Sequence, residues 1–336
     1  MPAQPLPRDP AYEHDRDAVA RLEVARGRIE EELRKAVLGQ EEVIEQLLIA
    51  LFAGGNCLLT GAPGLAKTLL VKSIAQIFDL EFQRIQFTPD LMPADITGTE
   101  ILQETEEGRR MRFVPGPLFA NMILADEINR TPPKTQAALL ESMQEYQVTV
   151  AGTTYPLTRP FFVLATQNPI EMDGTYPLPE AQLDRFMFNV RVDYLPEDVE
   201  VAVVAKTTGL RQEKLETLFH GSDLLAFNEI VRKVPIAEEV ARRAVQLAAR
   251  SRPGQSDAPD FVKEWISWGA GLRAGQNLVL GAKTRALMHG RSHVNFEDLR
   301  ALAAPVLRHR ILLNYRAEAD GVNVETVIER LVNEIL

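Results

Sequence analysis

Five short apolar runs, separated by segments with helical spacing, constrain the fold of this 336-residue chain more than any other feature. Each run is typical of a strand that is buried on both faces of a sheet. Because buried strands that alternate with helices form a parallel sheet covered on both sides, the sequence predicts an α/β fold. The predicted strands span residues 56–60, 81–86, 122–125, 161–166 and 186–192.

Strand patterns end near residues 195–197, which mark the predicted domain boundary. Beyond it, apolar residues recur at helical spacing, and this pattern predicts a smaller all-helical domain over residues 196–336. At the start of the chain, residues 1–17 contain four prolines and no apolar segment, so we expect a flexible leader there. An amphipathic helix over residues 18–37 then opens the α/β domain, which we place at residues 18–195.

The charge balance and the cysteine content limit the class of protein. Asp and Glu number 47 against 37 Lys and Arg, and the net charge of −10 argues against bulk electrostatic binding of nucleic acid or an anionic membrane. The single cysteine, Cys57, cannot form an internal disulfide, which favours a reducing compartment. No apolar stretch approaches the ~18 residues of a membrane span. We therefore expect a cytoplasmic protein without membrane insertion.

Residues 61–68, with the sequence GAPGLAKT, lie between the first predicted strand and the helix that follows it. Glycines let backbone N–H groups approach phosphates, and the helix N-terminus adds partial positive charge. In a phosphate-binding loop of this kind, Lys67 would contact the β and γ phosphates and Thr68 would bind Mg²⁺. The alternative interpretation is a Gly/Pro turn followed by a chance Lys-Thr pair.

One position of this loop departs from the usual pattern, because Ala66 stands where the last glycine belongs. We expect Ala66 to adopt the φ and ψ angles of a helix start, so that the loop keeps its conformation. The candidate nucleotide contacts are Gly61, Ala62, Pro63, Gly64, Leu65, Ala66, Lys67, Thr68 and Leu69.

An acidic pair, Asp126-Glu127, follows the apolar strand predicted at residues 122–125. At the carboxyl edge of a parallel sheet such side chains reach the crevice where ligands bind. We assign Asp126 to Mg²⁺, directly or through water, and Glu127 to polarising the attacking water. An acidic pair alone is usually a solvated turn. Combined with a phosphate loop, however, it predicts hydrolysis at a phosphate site that holds Mg²⁺, and not binding alone.

Four motifs resemble those of the AAA+ ATPases, and in particular those of the MoxR family. The resemblance extends from Leu38 nearly to the C-terminus. It implies an AAA+ P-loop NTPase core followed by a helical lid domain, with nucleotide held between the two. The motifs are GAPGLAKT at residues 61–68, ADEINR at 125–130, ATQNP at 165–169 and LPEAQLDRF at 178–186.

The resemblance assigns three further residues to catalysis. Asn168 matches sensor 1, which positions the attacking water; the alternative is a turn asparagine. Arg185 matches the arginine finger, which enters the nucleotide site of a neighbouring subunit; the alternative is a local ion pair. Arg273 takes the sensor 2 position, although Gly-Leu at residues 271–272 replaces the usual Ser-Pro of the family. The alternative is that Arg273 is a surface arginine without this role. Arg285 is a weaker candidate for the same role.

The resemblance also accounts for three segments outside these motifs. Gly39 and Gln40 match the segment that lines the adenine pocket. Residues 88–117 match the insert in the second helix, and residues 147–157 match the hairpin before sensor 1. In this clade both inserts point toward the pore of a ring and contact the client, whereas the residues alone indicate surface loops.

The function implied by the resemblance is that of a homo-oligomeric ring, expected to be a hexamer, that hydrolyses ATP at subunit interfaces. Such rings remodel protein clients in a chaperone-like manner, often with partners that carry a von Willebrand factor A domain. The alternative is a nucleic-acid motor, because helicases of the same clade share both inserts, although the acidic charge weighs against it. A phosphotransferase and a scaffold without turnover are further alternatives; Asn168, Arg185 and Glu127 argue against them.

Overall fold

The centre of the fold is a sheet of five parallel strands. A computed structural model describes residues 10–105, 108–168, 174–208 and 213–336. The strands are β1 (Cys57–Gly61), β2 (Phe82–Gln86), β3 (Gly98–Thr105), β4 (Gly108–Pro115), β5 (Met122–Asp126), β6 (Gln147–Val150), β7 (Thr153–Pro156), β8 (Phe162–Gln167), β9 (Phe188–Val192), β10 (Ile266–Trp268) and β11 (Leu312–Leu313). The central sheet has the order β2-β5-β8-β1-β9.

Helices cover both faces of this sheet and form most of the chain after β9. In the described ranges, none of them combines the length and the apolar character that crossing a bilayer requires. The helices are α1 (Pro10–Arg34), α2 (Glu41–Ala53), α3 (Lys67–Ile77), α4 (Pro93–Thr97), α5 (Pro133–Glu145), α6 (Glu180–Leu183), α7 (Glu197–Thr207), α8 (Gly221–Lys233), α9 (Glu238–Ala249), α10 (Asp260–Trp265), α11 (Leu272–Met288), α12 (Phe296–Leu307), α13 (Tyr315–Ala319) and α14 (Val324–Ile335).

The strands confirm the predicted α/β class, since each of the five predicted runs overlaps one strand of the sheet and its ends agree to within two residues. Successive residues of β1 face opposite layers: Cys57 and Leu59 belong to one hydrophobic core, and Leu58 belongs to the other. The prediction of burial on both faces is wrong for β2. Only Ile85 of that strand is buried, because β2 lies at the edge of the sheet and pairs with β5 alone.

Two further predictions differ from the structure. Helix α1 begins at Pro10, within the predicted leader, because proline suits the first helical position and no glycine or proline follows before Gly27. Residues 1–9 of that leader lie outside the described residues. The helical region after β9 is not all-helical, since β10 and β11 pair antiparallel; Ile266 and Trp268 are residue types that favour extended backbone.

The two predicted inserts form paired strands that contact each other. β3 and β4 pair antiparallel within residues 88–117, and β6 and β7 do so within residues 147–157. Residues 106 and 107, between β3 and β4, lie outside the described residues. The ring of Phe113 on β4 stacks on that of Tyr155 on β7, with centroids 3.9 Å apart. The two hairpins are therefore joined through an aromatic pair.

The helical region packs directly on the sheet domain, and one hydrophobic core runs across the predicted boundary. Arg310, after α12, is 5% exposed and bonds to the segment before β9. Its Nε donates to Asp184 Oδ1 at 2.7 Å, and its Nη2 donates to the Phe186 carbonyl at 2.6 Å. Burial lowers the pKa of Arg310, and the Asp184 carboxylate partly opposes that shift. This contact fixes the helical region against the sheet.

Replacing Arg310 should therefore destabilise the fold strongly. Arg310→Met leaves the Asp184 carboxylate and four backbone carbonyl groups without their donor, and breaking such a buried pair costs about 3 kcal/mol or more. Denaturant unfolding followed by circular dichroism should show the loss. The matched control is Arg300→Met on α12, because Arg300 bonds Asn333 at the surface and should contribute less than about 1 kcal/mol. Equal unfolding midpoints for the two variants would contradict this role.

Candidate nucleotide site

The predicted phosphate loop connects β1 to α3 and forms one wall of a cleft of about 470 Å³. Gly61 closes β1 where β9 approaches closely: a Cβ atom there would lie 2.1 Å from the Val192 carbonyl oxygen, so the position requires glycine. This cleft, called the nucleotide cleft below, is lined by Pro63, Gly64, Leu65, Ala66, Lys67, Thr68, Leu69, Arg84, Gln86, Asp126, Glu127, Thr166 and Asn168. Gly61 and Ala62 support the loop without lining it.

Ala66 does not adopt the helical conformation expected of it. Its φ of 56° and ψ of 19° are left-handed, which costs a non-glycine residue about 1 kcal/mol. Left-handed residues within a turn aim successive backbone N–H groups into one concavity, where they bind anions. The loop therefore keeps its phosphate-binding shape through a strained alanine, and not because alanine fits a helix start.

Lys67 and the two acidic residues face each other across the cleft. Lys67 is half-buried and donates from Nζ to the Gly61 carbonyl at 2.6 Å. Burial lowers the pKa of Lys67, while the charges of Asp126 and Glu127 oppose the shift. A cation held in this position can neutralise phosphate oxygens that enter the cleft.

Asp126 and Glu127 are held by side chains that the sequence did not single out. Thr166 on β8 donates to Asp126 Oδ1 at 2.6 Å and accepts the Glu127 N–H at 2.8 Å. Arg84 on β2 donates to Asp126 Oδ2 from Nε at 3.0 Å. Glu127 has a left-handed backbone, with φ of 58°, at the turn after β5. Gln86 Nε2 donates to Glu127 Oε2 at 2.9 Å, so both carboxylates are fixed in the cleft.

Asn168 also lies in the nucleotide cleft, directly after β8. It is 8% exposed, in keeping with a side chain that is positioned by its surroundings. Pro169, the next residue of its motif, lies outside the described residues. The structure thus brings Lys67, Glu127 and Asn168 into one cleft from three separate segments.

The donor set of the cleft suits Mg²⁺. Thr68 offers a hydroxyl and Asp126 a carboxylate, and both line the same cleft. Mg²⁺ prefers such oxygen ligands and usually takes one or two from the protein, with phosphates and waters completing the shell. The described part of the chain holds no cluster of three His, Cys, Asp or Glu side chains that could bind a metal ion.

A second, more apolar pocket of about 270 Å³ adjoins the phosphate loop, as an adenine ring requires. It is bounded by the segment after α1, by Leu65 and Leu69 of the loop, and by α7. Gln40 lines it and donates from Nε2 to the Leu65 carbonyl at 3.1 Å. Gly39 lies behind it with φ of 72°, and a Cβ atom there would clash with Val199.

Arg185 and Arg273 lie at the amino-terminal ends of the parallel strands, whereas the phosphate loop lies at the carboxyl-terminal ends. They line a separate pocket with Asn56, which precedes β1, and Met187, which precedes β9. The phosphate loop follows β1, and a five-residue strand separates its ends by roughly 13 Å. Neither arginine lines the nucleotide cleft of its own chain. The predicted sensor 2 role of Arg273 stays a prediction, and it would have to act on a nucleotide other than that of its own chain.

Among the described residues Arg185 does not form the local ion pair raised as its alternative, whereas the side chain of Arg273 is 46% exposed, as the alternative of a surface arginine predicts. Arg185 donates from Nη1 to the Leu140 carbonyl at 2.9 Å. Arg273 lies 3.7 Å from Asp184, whose carboxylate is already bonded to Arg310. Arg285 donates to Asp298 at 2.9 Å, and it lines neither of these two pockets. The pocket with Arg185 and Arg273, about 230 Å³ in volume, is called the arginine pocket below.

A parallel sheet with this cleft and a helical lid defines a P-loop NTPase of the AAA+ class. Residues 56–188 match the family described as ATPase family associated with various cellular activities (AAA), and residues 261–331 match the AAA lid domain. The chain is 40% identical over 304 residues to Chaperone MoxR1 of Mycobacterium tuberculosis, covering 90% of this chain and 80% of that protein. The chain belongs to the MoxR family of AAA+ ATPases.

Two other similarities span most of the chain. Protein MoxR of Paracoccus denitrificans is 33% identical over 299 residues, covering 84% of this chain and 87% of that protein. A crystal structure of a Cytophaga hutchinsonii protein is 40% identical and superposes with a TM-score of 0.89, covering 97% of this chain and 98% of that one. The fold is therefore shared from the sheet to the end of the lid.

Proposed function

We propose that the chain hydrolyses ATP in the nucleotide cleft with Mg²⁺ as cofactor. Backbone N–H groups of the loop and Lys67 bind the β and γ phosphates, and Thr68 and Asp126 hold Mg²⁺, which neutralises charge on the phosphates. Glu127 accepts a proton from the attacking water, and Asn168 orients that water. Attack on the γ phosphorus breaks its bond to the bridging oxygen and gives ADP and phosphate.

The observation that carries the proposal further is the separation of Arg185 and Arg273 from the cleft of their own chain. Side chains at the amino-terminal ends of the strands cannot reach a nucleotide that the same subunit binds at the carboxyl-terminal ends. In a head-to-tail assembly, the arginine pocket of one copy faces the nucleotide cleft of the next, and a rotation that closes makes a ring. Each active site is then complete only between two copies, with Arg185 and Arg273 both supplied by the neighbour.

The relatives named MoxR and Chaperone MoxR1 support a chaperone-like role for such a ring. We propose a homo-oligomer, expected to be a hexamer, that remodels or matures protein clients. A von Willebrand factor A domain protein is the expected type of partner. The lid core is continuous with the sheet domain, so turnover moves whole subunits against each other more readily than it moves the lid alone.

The joined hairpins are the proposed contact with the client. Ile101, Leu102 and Met111 on β3 and β4 are 44%, 59% and 58% exposed, which is unusual for apolar side chains grouped on one hairpin. Because Phe113 stacks on Tyr155, a displacement of one hairpin is transmitted to the other. The pair offers an apolar surface to an unfolded segment of a client.

Because each proposed active site is shared between two copies, ATP turnover per subunit should rise with protein concentration. Two copies form each site, so dilution to the monomer removes Arg185 and Arg273 from the phosphates. Phosphate release and mass should be measured together over a dilution series, with and without ATP and Mg²⁺. Lys67→Ala, prepared in parallel, measures contaminating ATPase activity. A monomer with full turnover per subunit would overturn the shared site.

A further inference from the structure

The arginine pocket contains a third guanidinium group that no motif of the sequence marks. Arg232 is in the last turn of α8, and its side chain is exposed. It lines the pocket together with Arg185 and Arg273. Among the described residues Arg232 has neither an ion-pair nor a hydrogen-bond partner, whereas Arg185 and Arg273 each have one. Its donors are thus available to a group from outside the chain.

The pocket has an excess of positive charge. Asp184 is the carboxylate that lines the pocket, and its Oδ1 accepts a hydrogen bond from Arg310 Nε at 2.7 Å. Arg185, Arg232 and Arg273 line the pocket with one carboxylate that is already bonded, so their like charges repel each other, with screening where the side chains are exposed. An anion with several charges relieves that repulsion, and a triphosphate carries both the charge and the acceptor oxygens that guanidinium groups match.

We propose that Arg232 is a third arginine acting across the subunit interface, where it contacts the phosphates of ATP bound to the neighbouring copy. This inference rests on the proposed function, because it needs the arginine pocket to face a nucleotide cleft. Arg185, Arg232 and Arg273 come from three separate segments, so they approach the phosphates from different sides. Charge that spreads over the γ-phosphoryl oxygens during transfer is then neutralised by more than one donor.

A competing explanation for Arg232 is local. Cations in the last turn of a helix interact favourably with the helix dipole, and α8 ends in Arg232 and Lys233. The dipole acts on both residues, but Lys233 does not line the pocket. Lys233→Ala is therefore the matched control, since it removes the same charge from the same helix end without emptying the arginine pocket.

Arg232→Ala should lower kcat for ATP hydrolysis roughly 10- to 100-fold, the size of one lost hydrogen bond to a charged group. Nucleotide affinity of the dilute subunit, measured with a fluorescent ATP analogue, should not change. Arg232→Lys should recover part of the rate, because it restores the charge without the planar fork. Lys233→Ala should keep the wild-type rate, and a drop there equal to that of Arg232→Ala would overturn the proposal.

Mixing subunits tests whether Arg232 acts on the neighbour. Arg232→Ala copies keep an intact phosphate loop, and Lys67→Ala copies keep Arg232, so mixed assemblies contain some complete sites and should regain turnover. No recovery on mixing, or loss of assembly in Arg232→Ala alone, would overturn the role. If Arg232→Ala hydrolyses ATP at the normal rate while Arg185→Ala does not, the proposed role of Arg232 is wrong and the proposed function stands. Normal turnover by Lys67→Ala would instead refute the proposed function itself.

Discussion

Arg185→Ala subunits should bind ATP as tightly as the wild type but hydrolyse it about 10³-fold more slowly. The guanidinium of Arg185 lies at the amino-terminal ends of the strands, away from the phosphate loop, so it contributes nothing to nucleotide binding by its own subunit. Under the proposed function, it neutralises charge on the transferred phosphoryl group of the neighbour in the assembled state. Binding is measured by titration at low protein concentration, and turnover by phosphate release at high concentration.

The activity of Arg185→Ala should be restored by mixing it with a second inactive variant. Lys67→Ala should abolish nucleotide binding because it removes the cation that we propose to contact the phosphates. Mixed with Arg185→Ala, it supplies an intact arginine to an intact cleft, and turnover should reappear. Arg300→Ala, a surface change on α12, should neither lose activity nor rescue. Two inactive variants that stay inactive when mixed, although they assemble together, would contradict action between subunits.

The sheet could be predicted because its evidence is local in the sequence. Apolar runs such as residues 122–125 are bounded by turns, and each run contains its strand within a residue or two. The position of a strand in the sheet is a different matter. Residues 81–86 resemble the other runs in the pattern, yet β2 is an edge strand, and the polar side chains of Arg84 and Gln86 lie in the cleft.

The phosphate loop and the acidic pair could be predicted for the same reason: each is contiguous in the chain. Thr166, Arg84 and Gln86 could not, because their role depends on the register between strands. Gln86 lies opposite Asp126 in the β2–β5 pairing, and a sequence read without that pairing gives no reason to connect them. The left-handed φ of Ala66 was missed because residue type predicted a helical conformation.

The placement of the lid arginines was also beyond the sequence. Arg273 matched a motif whose usual role is toward the nucleotide, but which nucleotide it faces depends on how α11 packs. Arg310 belongs to none of the four motifs, yet its buried bonds to Asp184 and Phe186 fix the lid beside the arginine pocket. These are contacts between residues more than 120 positions apart, and no local pattern encodes them.

Glu127→Gln should keep ATP binding and stop turnover, with a fall of about 10³-fold or more, because an amide cannot accept the proton of the attacking water. The variant loses the charge that pairs with Arg130 Nε at 3.1 Å but keeps a second contact of Glu127. Gln86 donates to Glu127 Oε2 at 2.9 Å, and the amide oxygen of the variant can still accept that bond.

Binding and turnover should then separate in one experiment. Glu127→Gln is expected to trap ATP in the assembled state, so gel filtration with radiolabelled ATP should recover unhydrolysed nucleotide with the oligomer, while wild type yields ADP. Glu329→Gln, an exposed change on α14, controls for the loss of one carboxylate and should behave as wild type. Wild-type phosphate release by Glu127→Gln would show that another group activates the water. Loss of ATP binding would instead show that Glu127 shapes the cleft and does not act on the water alone.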